Sequence, residues 1–268
     1  MSPIVGQVPR AQQGDYKSLI SREAHSGRNQ PPRAFRRHPV TSRPSARTDA
    51  TAPTTPDLTG MKLAHRGMLD DTRRFADILG RIGGGELCDG RRRKAIGDYL
   101  DQLCASIHHH HTIEDEVVWP ILTASAGAAV DVHDLKDDHT QLDALLAALQ
   151  ARTAAFTSAQ ADHRVAANEL AATLGDVHQL LGEHIADEER VVFPIVDRYV
   201  SVADWDRVEK AARSGASMRF EAPRMMRHAD ERELAKMKRE AGPVIRAVLT
   251  LLVRSFDKRE AIIAGPVR

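Results

Sequence analysis

The chain has 268 residues with 38 Lys and Arg against 37 Asp and Glu, so its formal net charge is +1 and it lacks the broad basic field that recruits nucleic acid or anionic lipid. Aromatics make up 4% of the residues and no run of β-branched residues alternates with polar ones, which excludes a β-rich fold. Two cysteines, Cys88 and Cys104, in no Cys-x-x-Cys or zinc-type spacing exclude a disulfide framework and a structural zinc knot.

Residues 1–56 hold eight of the thirteen prolines and nine Lys or Arg against three Asp or Glu, with no apolar period. Such a segment cannot bury enough surface to offset its ordering entropy, and a disordered basic tail is expected. From Asp57 the texture changes to long helical periods, broken at GGGELCDG (83–90), at SAGAAVD (125–131) and near Ser158. Four helices are predicted, over Leu58–Ile82, Arg92–Leu122, Val132–Phe156 and Asp162–Tyr199. The inward stripe of the first reads Leu58, Met61, His65, Met68, Thr72, Phe75, Leu79 and Ile82, at the 3-4 spacing of one helix face. The third reads Val132, Leu135, His139, Leu142, Leu146, Leu149, Thr153 and Phe156, each 74 positions after its counterpart.

The second and fourth helices repeat in the same way. Leu100, Leu103, Ile107, His110, Glu114, Val118 and Ile121 answer to Leu174, Val177, Leu181, His184, Glu188, Val192 and Ile195. A helical hairpin used twice, apolar on one stripe per helix, buries those stripes best as an up-down-up-down four-helix bundle with a pseudo-two-fold axis. Three further helical pieces follow, Val202–Ala212, Pro223–Ala241 and Pro243–Ile263; they cover the bundle or form a homodimer contact. The longest apolar run near the C-terminus, Ala247–Val253, is too short to span a bilayer, and the N-terminus lacks a secretory apolar core. A cytoplasmic protein is the expectation.

Four imidazoles and two carboxylates therefore share registers with leucine and isoleucine: His65, His110, Glu114, His139, His184 and Glu188. An unpartnered buried carboxylate costs several kcal/mol, and a cation removes that cost. His at i and Glu at i+4 project from one helix face one turn apart, so both can reach a common centre. Imidazoles end a site and carboxylates can bridge, which predicts two metals with Glu114 and Glu188 between them. A nitrogen and oxygen donor set without thiolate suits iron, with manganese or zinc as alternatives. About four donors per metal against roughly six for octahedral iron would leave positions open. Of the other histidines, His108, His109 and His111 lie off the stripe and are expected to face solvent or to support the ligands, and His178, whose repeat partner is Cys104, is expected to be structural. Asp70, Asp115, Asp143 and Glu189 stand near the ligands and are candidates to orient the imidazoles.

A single His, then His-x-x-x-Glu followed by an apolar pair and Trp119-Pro120, then the same again ending in Phe193-Pro194, resembles the hemerythrin-like HHE cation-binding family over residues 57–200. The resemblance implies a four-helix bundle holding a non-haem di-iron centre, with ligand roles on His65, His110, Glu114, His139, His184 and Glu188. Oxygen-carrying hemerythrins carry His-x-x-x-His on the third helix and His-x-x-x-x-Asp on the fourth; here Asp143 follows His139 by four, and the fourth helix has Glu188. One imidazole fewer implies two unsaturated metals, closer to members that sense iron or oxygen or handle peroxide and nitric oxide. The leading expectation is a di-iron protein binding dioxygen, nitric oxide or peroxide in sensing or stress protection. A catalase-like peroxide-decomposing enzyme and an iron-dependent regulatory interaction protein are the alternatives. No P-loop, dinucleotide fingerprint, nucleophile elbow or base-reading module is present in the sequence.

Overall fold

The computed structural model describes residues 55–127, 130–159 and 162–265, and all of their regular structure is helical. The tail expected over residues 1–56 lies outside the described residues except for its last two. Helix α1 spans Thr59–Gly83 and α2 spans Gly90–Ile113. The Asp89 side chain caps α2 by accepting from the Arg92 amide, satisfying one of the donors left free at a helix start. The predicted second helix does not run on unbroken: a π-helical turn, Glu114–Val118, intervenes before α3, Trp119–Ala126. Helices α4 (His133–Ser158) and α5 (His163–Tyr199) complete the bundle, and α5 stays helical through Pro194. Proline alone therefore does not require the π turn that precedes Pro120.

The stripes read from the sequence are the buried faces. Phe75, Leu79, Ile82, Leu100, Leu103, Ile107, Leu142, Leu149, Phe156, Leu174, Val177 and Leu181 are sealed from water. Each such side chain contributes about 1.5–3 kcal/mol on leaving water. The bundle packs α1 along α5, α5 along α4 and α4 along α2. The approach of α2 to α4 is close enough that a Cβ on Gly97 would lie 2.4 Å from Thr157 Cγ2. A second apolar cluster, with Leu58, Val118, Trp119, Leu122, Leu135, Val192, Val196 and Trp205, fills the end of the bundle beyond the polar registers.

Helix α6 spans Val202–Arg213 and α9 spans Pro243–Ala264. The single helix expected over Pro223–Ala241 is two, α7 (Met218–His228) and α8 (Glu231–Glu240). The break falls where Asp230 and Glu233 form a reciprocal capping box, an arrangement that starts a helix and so ends the one before. Helix α7 packs on α1, α9 packs on α2, and the two pack on each other. Tyr99 is the hub of this contact: its ring lies 4.7 Å from Phe75, 5.0 Å from Phe220 and 6.0 Å from Phe256, centroid to centroid. Its hydroxyl donates to Asp71 Oδ2 at 2.8 Å, and Arg224 Nε donates to the same oxygen at 2.7 Å. Among the described residues no helix is long and apolar enough to cross a membrane.

Candidate metal centre

The 3-4 register brings all six predicted residues into one buried layer. Five of them are sealed from water, and His110, at 17% side-chain exposure, is the one with a path to solvent. The donor atoms fall into two groups, each spanning no more than 4.8 Å: His65, His110, Glu114 and Glu188 at one end, and His111, Glu114, His139 and His184 at the other. Glu114 belongs to both. Its Oε1 lies 2.7 Å from His110 Nε2 and its Oε2 lies 3.4 Å from His139 Nε2, one oxygen toward each end. Glu188 groups with the first end alone, its Oε2 3.2 Å from His65 Nε2, which differs from the expected pair of bridging carboxylates.

Of the two places the sequence reading allowed His111, at solvent or in support of the ligands, the structure removes the first. It is buried, and its ring stacks on His139 at 4.4 Å and meets His184 edge-on at 5.3 Å. A fifth buried imidazole thus enters the layer from α2. His108 and His109 are exposed or nearly so and serve elsewhere: His108 Nδ1 is 3.0 Å from Asp143 Oδ1, and His109 Nε2 is 3.0 Å from the Ala212 carbonyl oxygen. His178 meets Thr72 Oγ1 at 3.1 Å, two helical turns from the ligand register, in a structural contact.

Behind the imidazoles stand acids. His65 Nδ1 meets Glu189 Oε1 at 2.9 Å, and its repeat counterpart His139 Nδ1 lies 3.2 Å from Asp115 Oδ1. Asp115 is itself held by a hydrogen bond from Trp119 Nε1 at 3.0 Å. Asp70 and Asp143 do not take this part, since they pair with His228 and His108. Asp138 takes it instead, 3.3 Å from His184 Nδ1. The repeat counterpart of Asp138 is Ala64, so His110 has no such acid behind it among the described residues. Phe193 stacks on His65 at 6.0 Å and Trp119 on His139 at 6.2 Å, which assigns the aromatic of each repeated motif to cover one imidazole.

The electrostatics are those of a layer short of positive charge. Burial disfavours a proton on His65, but Glu188 and Glu189 outweigh it and hold the imidazole up at about 10. Burial and the nearby Glu114 push Glu188 up, whereas Glu114, although buried, is held well below the usual carboxylate range by His110 and His139. Burial drives His111 well below its ordinary value and keeps it neutral.

The donors fit metal ions. Both carboxylate oxygens of Glu114 and of Glu188 and both ring nitrogens of His111 are buried without a hydrogen-bond partner among the described residues. Buried polar atoms are otherwise almost always paired. The Nε2 atoms of His65 and His110 are 3.2 Å apart and those of His139 and His184 are 3.3 Å apart. Two nitrogens on one ion at about 2.1 Å, subtending tetrahedral to octahedral angles, stand about 2.9–3.4 Å apart. The model of the hemerythrin HHE cation-binding domain matches residues 57–196. No curated protein and no solved structure matches the chain.

Proposed function

Since the chain belongs to the hemerythrin HHE cation-binding domain family, we propose that it is a non-haem di-iron protein that binds dioxygen, nitric oxide or peroxide in sensing or in oxidative and nitrosative stress protection. His65, His110, Glu114, His139, His184 and Glu188 would hold two iron ions, with manganese or zinc as lesser fits to the same donors. The observation that carries the reading is the set of unpartnered buried carboxylate oxygens on Glu114 and Glu188, facing imidazole nitrogens from all four bundle helices. Iron, when bound, supplies open coordination positions and electrons for a small oxygen- or nitrogen-containing ligand.

The protein's own part is to orient and to exclude. Glu189 and Asp138 pair with the outer ring nitrogens of His65 and His184, and Asp115 stands 3.2 Å from that of His139, so the inner nitrogens turn toward the centre, a support that raises ligand basicity. Phe193 and Trp119 shut out bulk water over His65 and His139, leaving the His110 side as the approach for a small ligand. The buried free thiols of Cys88 and Cys104 suit a reducing, cytoplasmic setting. On α9 the exposed Val244, Ile245, Val248 and Leu251 form the surface through which a homodimer would assemble.

The decisive experiment is iron analysis with optical spectra under air, nitric oxide and peroxide. Two irons per chain and spectral changes on ligand addition, lost in His110→Ala, are expected; a chain that takes up no iron sinks the reading. A second reading, catalase-like peroxide decomposition, is favoured by one observation. Glu189 and Asp115 are about 40% exposed while touching ligand imidazoles, a position from which a proton passes between solvent and the centre. Peroxide turnover by the iron-loaded protein, abolished in His110→Ala, separates that enzyme from a carrier or sensor.

A further inference from the structure

The two ends of the centre are not alike, although the sequence that builds them repeats. At one end are two imidazoles, His65 and His110, and two carboxylates, Glu188 and Glu114. At the other are three imidazoles, His111, His139 and His184, with Glu114 alone. The difference is one residue. The position 74 after His111 is Ile185, which is buried in the same bundle, so packing by itself accepts an aliphatic side chain there.

A histidine in that place is costly unless it has a partner. Both nitrogens of His111 are buried and unpaired among the described residues, and an unsatisfied buried polar group destabilises the fold. Stacking on His139 accounts for the ring but gives the nitrogens nothing. One of them lies within 4.8 Å of donor atoms on Glu114, His139 and His184, so it is aimed at the same point as theirs. The surroundings are uneven in the same sense. Two of the three imidazoles at this end have an acid behind them, Asp115 and Asp138, while at the other end only His65 has one. The π turn that begins at Glu114 is also confined to this repeat, for α5 runs through the equivalent residues as an α-helix. Turns of this kind collect at functional sites.

We propose that His111 is a metal ligand and that it makes the centre unequal: the His111, His139, His184 and Glu114 end takes the first ion and the His65, His110, Glu188 and Glu114 end fills second. Imidazole suits divalent zinc and iron alike, so the end with the extra imidazole holds either ion more tightly, and that sets the order. The inference rests on the dinuclear reading above. The ion that fills second is then the one that faces the His110 approach.

Zinc titration of the metal-free full-length chain, followed by calorimetry, tests it. Two ions binding in two phases are expected, the first at least about tenfold tighter than the second, the smallest loss usually seen when support of a metal ligand is removed. His111→Ile, which copies the residue of the other repeat, should abolish the tight phase and leave two ions bound at the affinity of the weaker one. X-ray absorption on the unmodified chain carrying one zinc should count three imidazoles, and this measurement decides the matter even if the variant does not fold. Two equal phases in the unmodified chain, a tight phase that survives His111→Ile, or two imidazoles around the first zinc would each overturn the inference and leave the dinuclear reading standing. An unmodified chain that binds fewer than two ions overturns both.

Discussion

Arg224 on α7 and Asp71 on α1 form an ion pair at 2.7 Å that is sealed from water on both sides. Tyr99 and Arg74 also reach Asp71, so the carboxylate joins the C-terminal helices to both α1 and α2. Removing one member of a buried pair strands the other's charge. Arg224→Met should therefore cost about 3–5 kcal/mol in urea denaturation. A loss under about 1 kcal/mol, the size of an exposed pair, would show that water reaches Asp71.

The same carboxylate sets an acid limit. Burial alone would raise Asp71, but His228, Arg224 and Arg74 outweigh it and hold the group far below its ordinary value of 3.8. A group whose folded value is depressed stabilises the fold fully at pH values above its unfolded value, and that stability drains away as pH falls from there toward the folded value. The urea midpoint should fall steeply below about pH 4. Asp71→Asn should start less stable and lose less over the same acid range, and parallel profiles would be the contrary result.

Close packing of α2 on α4 gives a steric prediction. Alanine is a better helix former than glycine by up to about 1 kcal/mol, yet a Cβ at position 97 would stand 2.4 Å from Thr157 Cγ2. Gly97→Ala should destabilise by about 1–3 kcal/mol through overpacking. Adding Thr157→Ser, which deletes the clashing methyl, should recover most of that in thermal melts. Failure of the second change to rescue the first would mean that the helix backbones, rather than that methyl, set the spacing.

The acids behind the imidazoles should matter for metal uptake and their neighbours should not. Asp138→Ala should weaken metal binding about 10–100-fold in chelator competition, because His184 then loses the group that orients it. Asp143→Ala, whose carboxylate pairs with exposed His108, should leave affinity unchanged. Equal effects from both would make the acids a diffuse charge field instead of specific supports.

Most of the bundle was legible because its code is redundant. Seven positions on α1 and seven on α4 repeat one register, and the polar exceptions at His65 and His139 stand out against the aliphatic residues around them. What escaped the pattern were residues that a single stripe cannot hold. His110 and His111 are adjacent, about 100° apart around the helix, and a stripe admits only one of them. Both point inward because the polar layer holds two groups of donors, and each of them joins a different one. Asp138 was missed for a similar reason: it lies beside His139 in sequence but serves His184 on the next helix. The break between α7 and α8 had a local signal, Asp230-x-x-Glu233, that the charged periodicity around it masked. The burial of Arg224 had none, since its partner stands 153 residues earlier in the chain.

Tyr99 draws a boundary that the repeat does not. The family match closes at residue 196, but the aromatic cluster around this tyrosine is finished by Phe220 and Phe256, well past that limit. A fragment trimmed to the matched span would leave that ring and the Asp71 carboxylate facing solvent, with their partners cut away. The unit that packs as a whole is therefore longer than the motif that identifies it, and anyone excising the centre for study needs the chain through Ala264.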